Sequence, residues 1–256
     1  MKDFFFATTA VAQAEIHKMV RDPTELFSRA VQPVLWLAVF GQVFSKIRGI
    51  PTGNVSYLDF MAPGILAQSI LFTAIFYGIA IIWERDLGIV HKLLVTPASR
   101  IALVLGKAVA AGLRGLVQAI VVYLVALALQ IDILWNPYSI LIVALAVFLG
   151  SCIFSTFSLV IACIVKTRER FMGIGQVLTM PLFFASNAIY PIELMPDWLK
   201  AIAIVNPLTY LVDALRQSMI VGGQGIYPQI FSFGVMSAVF LFLLVVASKL
   251  YPGLVR

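Results

Sequence analysis

Long apolar runs, each closed by a short polar or proline-bearing break, are the first pattern along this chain. A helix needs about 20 apolar residues to cross a bilayer. Six runs qualify, at 27–45, 61–83, 103–130, 138–165, 171–190 and 229–248. Start signals precede several of them. Asp22-Pro23-Thr24-Glu25 sets an N-cap, a first-turn proline and a capping-box acid ahead of the first run. Thr96-Pro97 and Asn136-Pro137 open the third and fourth in the same way. Pro181 lies inside the fifth and is expected to kink it. Upstream of all six, residues 4–20 read as an amphipathic helix along the membrane interface, with Phe5, Ala12 and Ile16 on one side and Glu15 and Lys18 on another. Asp3, the Thr8-Thr9 pair and the basic segment that follows argue against a cleaved leader.

The break between the second and third runs is unusual: ERDLGIVHKLLVTPASR. Trp83, Leu87, Val90 and Leu94 recur at steps of four, three and four, which makes one apolar stripe, while Glu84, Arg85, Gly88 and Lys92 face elsewhere. The spacing predicts an amphipathic helix over 84–95, closed by Thr96-Pro97. A helix this short is marginal alone and must pack against something. Two readings stay open on the residues. The helix is either a tether lying on the membrane surface or a lever docked into a groove of a soluble partner. In the second case Glu84, Arg85, His91 and Lys92 are its polar contacts.

Composition agrees with the pattern. The 256 residues are 61% hydrophobic and only 12% charged, and the mean hydropathy is +1.00. These values define an all-α integral membrane protein with a single transmembrane domain over 1–256 and no room for a large soluble domain. The net charge of +6 follows topology rather than nucleic acid. With the N-terminus inside, fourteen of the 18 basic residues are cytoplasmic, and only Lys46, Arg48, Lys200 and Arg216 are outside. Both termini are then cytoplasmic. Arg100, Lys107 and Arg114 are spaced by seven and form one stripe at the start of the third span. They either snorkel to the interface or line a positively charged vestibule. Cys152 and Cys163 share a helix face about 16 Å apart and cannot bond to each other.

Several chemistries are missing. No G-x-x-x-x-G-K-[ST] phosphate loop occurs, so ATP hydrolysis by that route is excluded. No cluster of His, Cys and carboxylates has metal spacing, and no catalytic group or bound cofactor is expected. The span middles carry aromatic and amide groups instead of charges. Trp36, Phe40, Gln68, Phe72, Phe76, Gln176 and Asn187 are candidates for lining a path suited to an amphipathic or lipid-like cargo.

Three segments carry a family resemblance. ERDLGIVHKLLVTPASRIALVLGK resembles the cytoplasmic segment of ABC-2 type transporter permeases, the membrane subunits of one class of ATP-driven exporters. MVRDPTELFSRAVQPVLWLAVFGQVF resembles the start of that family's first span, and YPIELMPDWLKAIAIVNPLTYLVDALRQ its extracellular hairpin before the last span. The wording is nearer the drug, antibiotic and lipo-oligosaccharide exporting branch than the polysaccharide branch. The resemblance implies a six-helix subunit in a prokaryotic cytoplasmic membrane that pairs with a second permease copy. It also implies a separate ATPase subunit that holds the ATP and Mg. Residues 84–95 are then the coupling helix, with Glu84, Arg85, Leu87, Gly88, His91, Lys92, Leu94, Pro97 and Arg100 as contacts. Lys166, Arg168, Glu169 and Arg170 form the second cytoplasmic contact, and 191–221 folds as two short helices dipping back towards the membrane. The rival class is a channel or secondary carrier that works without an ATPase.

Overall fold

A computed structural model describes residues 2–21, 31–45, 55–96, 98–165 and 167–255. The described residues are helical, without strands. In chain order the helices are α1 (Lys2–Arg21), α2 (Val31–Ser45, π-helical over Trp36–Gly41), α3 (Tyr57–Asp86) and α4 (Ile89–Val95). Then follow α5 (Arg100–Ala128), α6 (Pro137–Ile164), α7 (Arg168–Phe184), α8 (Asp197–Val205), α9 (Pro207–Met219) and α10 (Gln229–Leu250). Among them α3, α5, α6 and α10 are long and apolar enough to cross a membrane, and the α8–α9 pair, bent by 79°, makes a fifth if counted as one span.

The expected spans at 61–83, 103–130, 138–165 and 229–248 therefore correspond to α3, α5, α6 and α10. The fifth expected span ends early, because α7 stops at Phe184. Only Val31–Ser45 of the first is described, and its Asp22-Pro23-Thr24-Glu25 start lies outside the described residues, as do Lys46, Arg48, Pro97 and Lys166. Asn136 caps α6 as expected, its Oδ1 accepting from Tyr138 N at 3.1 Å. The third start was misplaced. Ser99, not Thr96, caps α5, and its Oγ accepts from Ala102 N at 3.3 Å. Serine three residues on simply has the better reach to the first free amide.

The core is the long contact of α3 with α6, flanked by α5, α9 and α10. Hydroxyl groups seal it where apolar packing alone leaves backbone polar atoms, as membrane helices often do. Ser158 Oγ donates to Ile75 O at 2.6 Å and accepts from Gly78 N at 3.0 Å.

Both ends are stitched differently. At one end the links around α3, α6, α9 and α10 converge. Ile133 and Ile220 form an isolated antiparallel bridge, supported by Leu134 N to Met219 O at 2.9 Å and Val221 N to Asp132 O at 3.0 Å. Asp59 closes a capping box with Ser56 and also accepts from Asp132 N at 3.2 Å. Asn206 caps α9 through Leu208 N and donates to Leu182 O and Ala185 O, which fixes the α8–α9 bend against the end of α7. Asp213 is fully buried, and its carboxylate accepts from Ile226 N at 2.7 Å and Tyr227 N at 2.9 Å. Arg216 beside it is also buried and donates to Asn187 O at 2.6 Å above the Phe60 ring.

Truncation of Asp213 leaves two loop amides without acceptors. Asp213→Ala is expected to cost about 2–3 kcal/mol, read as a lowered midpoint in thermal unfolding of the purified protein. Glu193→Ala, an exposed acid of the same region, should leave the midpoint unchanged.

Candidate functional site

The opposite end gathers α1, α4 and the near ends of α3, α5, α7 and α10. Its centre is Lys107 on α5, only 3% exposed. An ammonium group cannot sit there alone, because burial of an ion costs several kcal/mol unless partners compensate it. Two carboxylates from two other helices do so. Lys107 Nζ donates to Glu84 Oε2 of α3 at 2.6 Å and to Glu15 Oε1 of α1 at 3.1 Å. Lys18 covers the cluster from outside, 2.5 Å from Glu84 Oε1 and 3.2 Å from Glu15 Oε1. Arg114 approaches from one heptad further along α5. Its Nη2 donates to Glu15 O at 3.3 Å and to Glu15 Oε2 at 3.5 Å, and its guanidinium stacks 4.8 Å from the Tyr77 ring centre.

Burial of Glu15 pushes its carboxyl upward, but Lys107 and Lys18 outweigh this and hold it down at about 2. A lowered folded value means that ionised Glu15 stabilises the fold. That contribution is complete above the ordinary 4.5 and is lost as pH falls through about 2. The group is a structural anion at any physiological pH.

This cluster corrects three expectations. Glu84 was expected as an exposed contact, yet it is buried and committed to Lys107 and Lys18. Lys107 and Arg114 were expected either to snorkel or to line an open vestibule, but both are turned onto acids of neighbouring helices. Glu15 was expected on the solvent side of the first helix, yet it is 4% exposed. The inward face of α1 carries Ala12 and Glu15, while Phe5 is exposed. Close approach makes this possible: a Cβ on Gly106 would lie 2.8 Å from Thr8 O of α1.

The stretch 84–95 is also not one continuous helix. α3 ends at Asp86, and Gly88 adopts φ +72, a left-handed conformation that glycine takes without penalty. The chain turns there before α4 begins. The stripe is consequently split. Trp83 and Leu87 are exposed, whereas Val90 is fully buried in a cluster that includes Val104 of α5 and Tyr251 and Leu254 of the turn over Tyr251–Val255. Leu94 is half-buried, and His91, Lys92 and Val95 are exposed.

Arg168 reaches this turn from α7. Its Nη2 lies 2.7 Å from Asp86 Oδ2, and its guanidinium stacks 3.6 Å from the Trp83 ring centre. Asp86 also accepts from Arg85. The two stretches expected to meet a partner are thus joined to each other through Arg168, whereas Glu169 and Arg170 remain exposed, as does Arg100. Trp83 and Asp86 carry this junction and were not among the expected contacts.

The expected path residues do not converge. Phe72, Phe76 and Gln176 line one cleft of about 150 Å³ with Phe171 and Thr179. Trp36 stacks on Phe40 at 4.6 Å in α2. Gln68 and Asn187 are buried in the bundle. Among the described residues no group of His, Cys, Asp and Glu could hold a metal, and Cys152 and Cys163 are both free.

Long apolar helices, with a buried charge cluster at one end and a short helix beside it, define a multi-pass membrane protein. Residues 7–220 match the ABC-2 type transporter family. The chain belongs to that family, and membership implies an ATPase partner in an ABC system. It is 32% identical over 202 residues to the putative transport permease ycf38 of Cyanophora paradoxa, covering 78% of this chain and 69% of that one. It is 25% identical to the daunorubicin resistance ABC transporter permease protein DrrB1 of Streptomyces coeruleorubidus, over 77% of this chain and 69% of that one. The probable multidrug ABC transporter permease YbhR of Escherichia coli K12 is 29% identical over 64% of this chain and 44% of its own length.

Removal of one charge from the cluster strands the others. Lys107→Met is expected to cost on the order of 3–5 kcal/mol. Adding Glu15→Gln and Glu84→Gln should recover most of that loss, measured by thermal unfolding in detergent.

Proposed function

We propose that this chain is the permease subunit of an ATP-driven exporter that moves an amphipathic, drug-like or lipid-linked cargo outwards. In this reading the charged end is cytoplasmic, α1 lies along the inner interface, and the α8–α9 hairpin dips back from the outer side. Six spans, two of them built around α2 and α7, then place both termini inside the cell. A second copy of the chain completes the path, and each copy receives one ATPase subunit at α4.

One observation carries the assignment of the docking face. α4 is seven residues long and holds to the bundle by buried Val90 with half-buried Leu93 and Leu94, while Leu87 and Val95 are 68% and 87% exposed. Two large apolar side chains exposed at the two ends of this segment, with His91 exposed between them, suit a groove on a soluble subunit better than open water. The junction through Arg168 supports the same reading, because it ties α7 to the turn that precedes α4. The drug-resistance and multidrug designations of two relatives favour an amphipathic cargo.

The double substitution Leu87→Asp with Val95→Asp tests the docking face without touching buried atoms. Co-purification of a co-expressed ABC ATPase subunit should be lost, while the permease still inserts and elutes as the wild type. Undiminished co-purification would remove α4 as the docking element. ATP-dependent transport that survives the loss of co-purification would instead favour a carrier that works without an ATPase.

A further inference from the structure

A cleft of about 490 Å³ opens between α1, α4 and the start of α5, within the range of small-ligand sites. Phe4, Ala7, Ala10 and Val11 form one wall, and Leu93, Ala98 and Leu103 form the other. The two hydroxyls that reach it are already engaged. Thr96 Oγ1 donates to Leu93 O at 2.6 Å, and Ser99 Oγ accepts from Ala102 N. The cleft thus provides a mostly apolar volume whose two hydroxyls already bond backbone, which favours a hydrocarbon occupant over a hydrogen-bonding one.

Two further features say where that hydrocarbon comes from. Phe4, Phe5 and Phe6 are 39%, 69% and 68% exposed, so the start of α1 needs an apolar medium at the level of the cleft. Two exposed basic residues are sequence neighbours of the lining. Lys92 and Arg100, each next in sequence to a residue that lines the cleft, are exposed and make no ion pair among the described residues. Of the described acids at this end, Glu15 and Glu84 are paired with Lys107 and Lys18, and Asp86 with Arg85 and Arg168, while exposed Glu169 on α7 does not line the cleft.

We propose that the cleft is a lipid site that takes one acyl chain of an anionic phospholipid from the cytoplasmic leaflet, with its phosphate held by Lys92 and Arg100. The inference rests on the interfacial placement of α1 proposed above. Because Leu93 and Thr96 belong to the last turn of α4 and its C-cap, a bound lipid steadies the docking element itself.

The test uses the purified full-length permease, mixed with phosphatidylglycerol or phosphatidylcholine and washed in detergent, with retained lipid read by mass spectrometry. Wild type should retain phosphatidylglycerol over phosphatidylcholine by roughly tenfold, as two basic residues at an anionic headgroup would give. Ala7→Phe with Ala10→Phe fills the cleft and should abolish retention of both. Lys92→Gln with Arg100→Gln leaves the cleft open and should erase the preference while retaining some of either lipid. Equal retention of the two lipids by wild type, or unchanged retention after filling, overturns the proposal. A fluorophore on Phe5→Cys, in a Cys152→Ala and Cys163→Ala background, separates the two layers of the argument. A water-like signal in vesicles removes the interfacial placement of α1. A lipid-like signal combined with unchanged retention after filling removes only the lipid site.

Discussion

Everything at the charged end depends on one ammonium group that has no water to lean on. Lys107 is tolerated because α1 and α3 each deliver a carboxylate within 3.1 Å of it. Such an arrangement does little for net stability, since the desolvation of four charges consumes most of what their attraction returns. Its value is geometric. A buried carboxylate displaced from its cation costs several kcal/mol, so α1, α3 and α5 have one relative position at this level and no cheap alternative. Glu84 is two residues before the end of α3 and four before Gly88, where the chain turns. The origin of α4 is therefore set by the cluster.

The junction with α7 is of another kind. Asp86 and Arg168 are each about a third exposed, and an ion pair in that setting contributes about 0–1 kcal/mol. Stacking of Arg168 on half-exposed Trp83 adds about 0.5–1 kcal/mol. Together they are a contact that thermal motion or a partner can open, a few ångströms from one that neither can. The opposite end of the molecule uses a third device. There Asp59, Asn206, Asp213 and Arg216 bind loop and helix-end backbone rather than one another. That choice fixes the loops between helices and leaves the helices themselves held by apolar packing.

Much of this was legible in the residues. α3, α5, α6 and α10 announce themselves by length and hydropathy, and Asn136-Pro137 marks a helix start correctly. The two short helices after Pro191 came from the family resemblance rather than from any local period. The seven-residue spacing of Arg100, Lys107 and Arg114 was visible as well, but its meaning was not. Glu84 lies 23 residues from Lys107 and Glu15 lies 92 away, so no local period links the partners. A periodicity argument also assumes a continuous helix. It failed at 84–95 because Gly88, read as a tolerated residue on the polar face, takes a left-handed conformation that resets the register after Leu87. The same break explains why Glu84, expected to face a partner, points into the bundle.

These strengths order the motions that the molecule permits. α4 is too short to be rigid by its own hydrogen bonds, and Val90 alone is fully buried within it. A force on its exposed face is therefore passed to whatever holds its two ends. At the N-terminal end that is Gly88 and, through it, the α1–α3–α5 cluster. At the C-terminal end it is the Ser99-capped start of α5. Both belong to the same pinned group, so a displacement of α4 moves α1, α3 and α5 together instead of bending one of them. The Arg168 ion pair is the weaker polar contact at this end, and α7 is held to α3 beside it by Phe171, buried against Gly78.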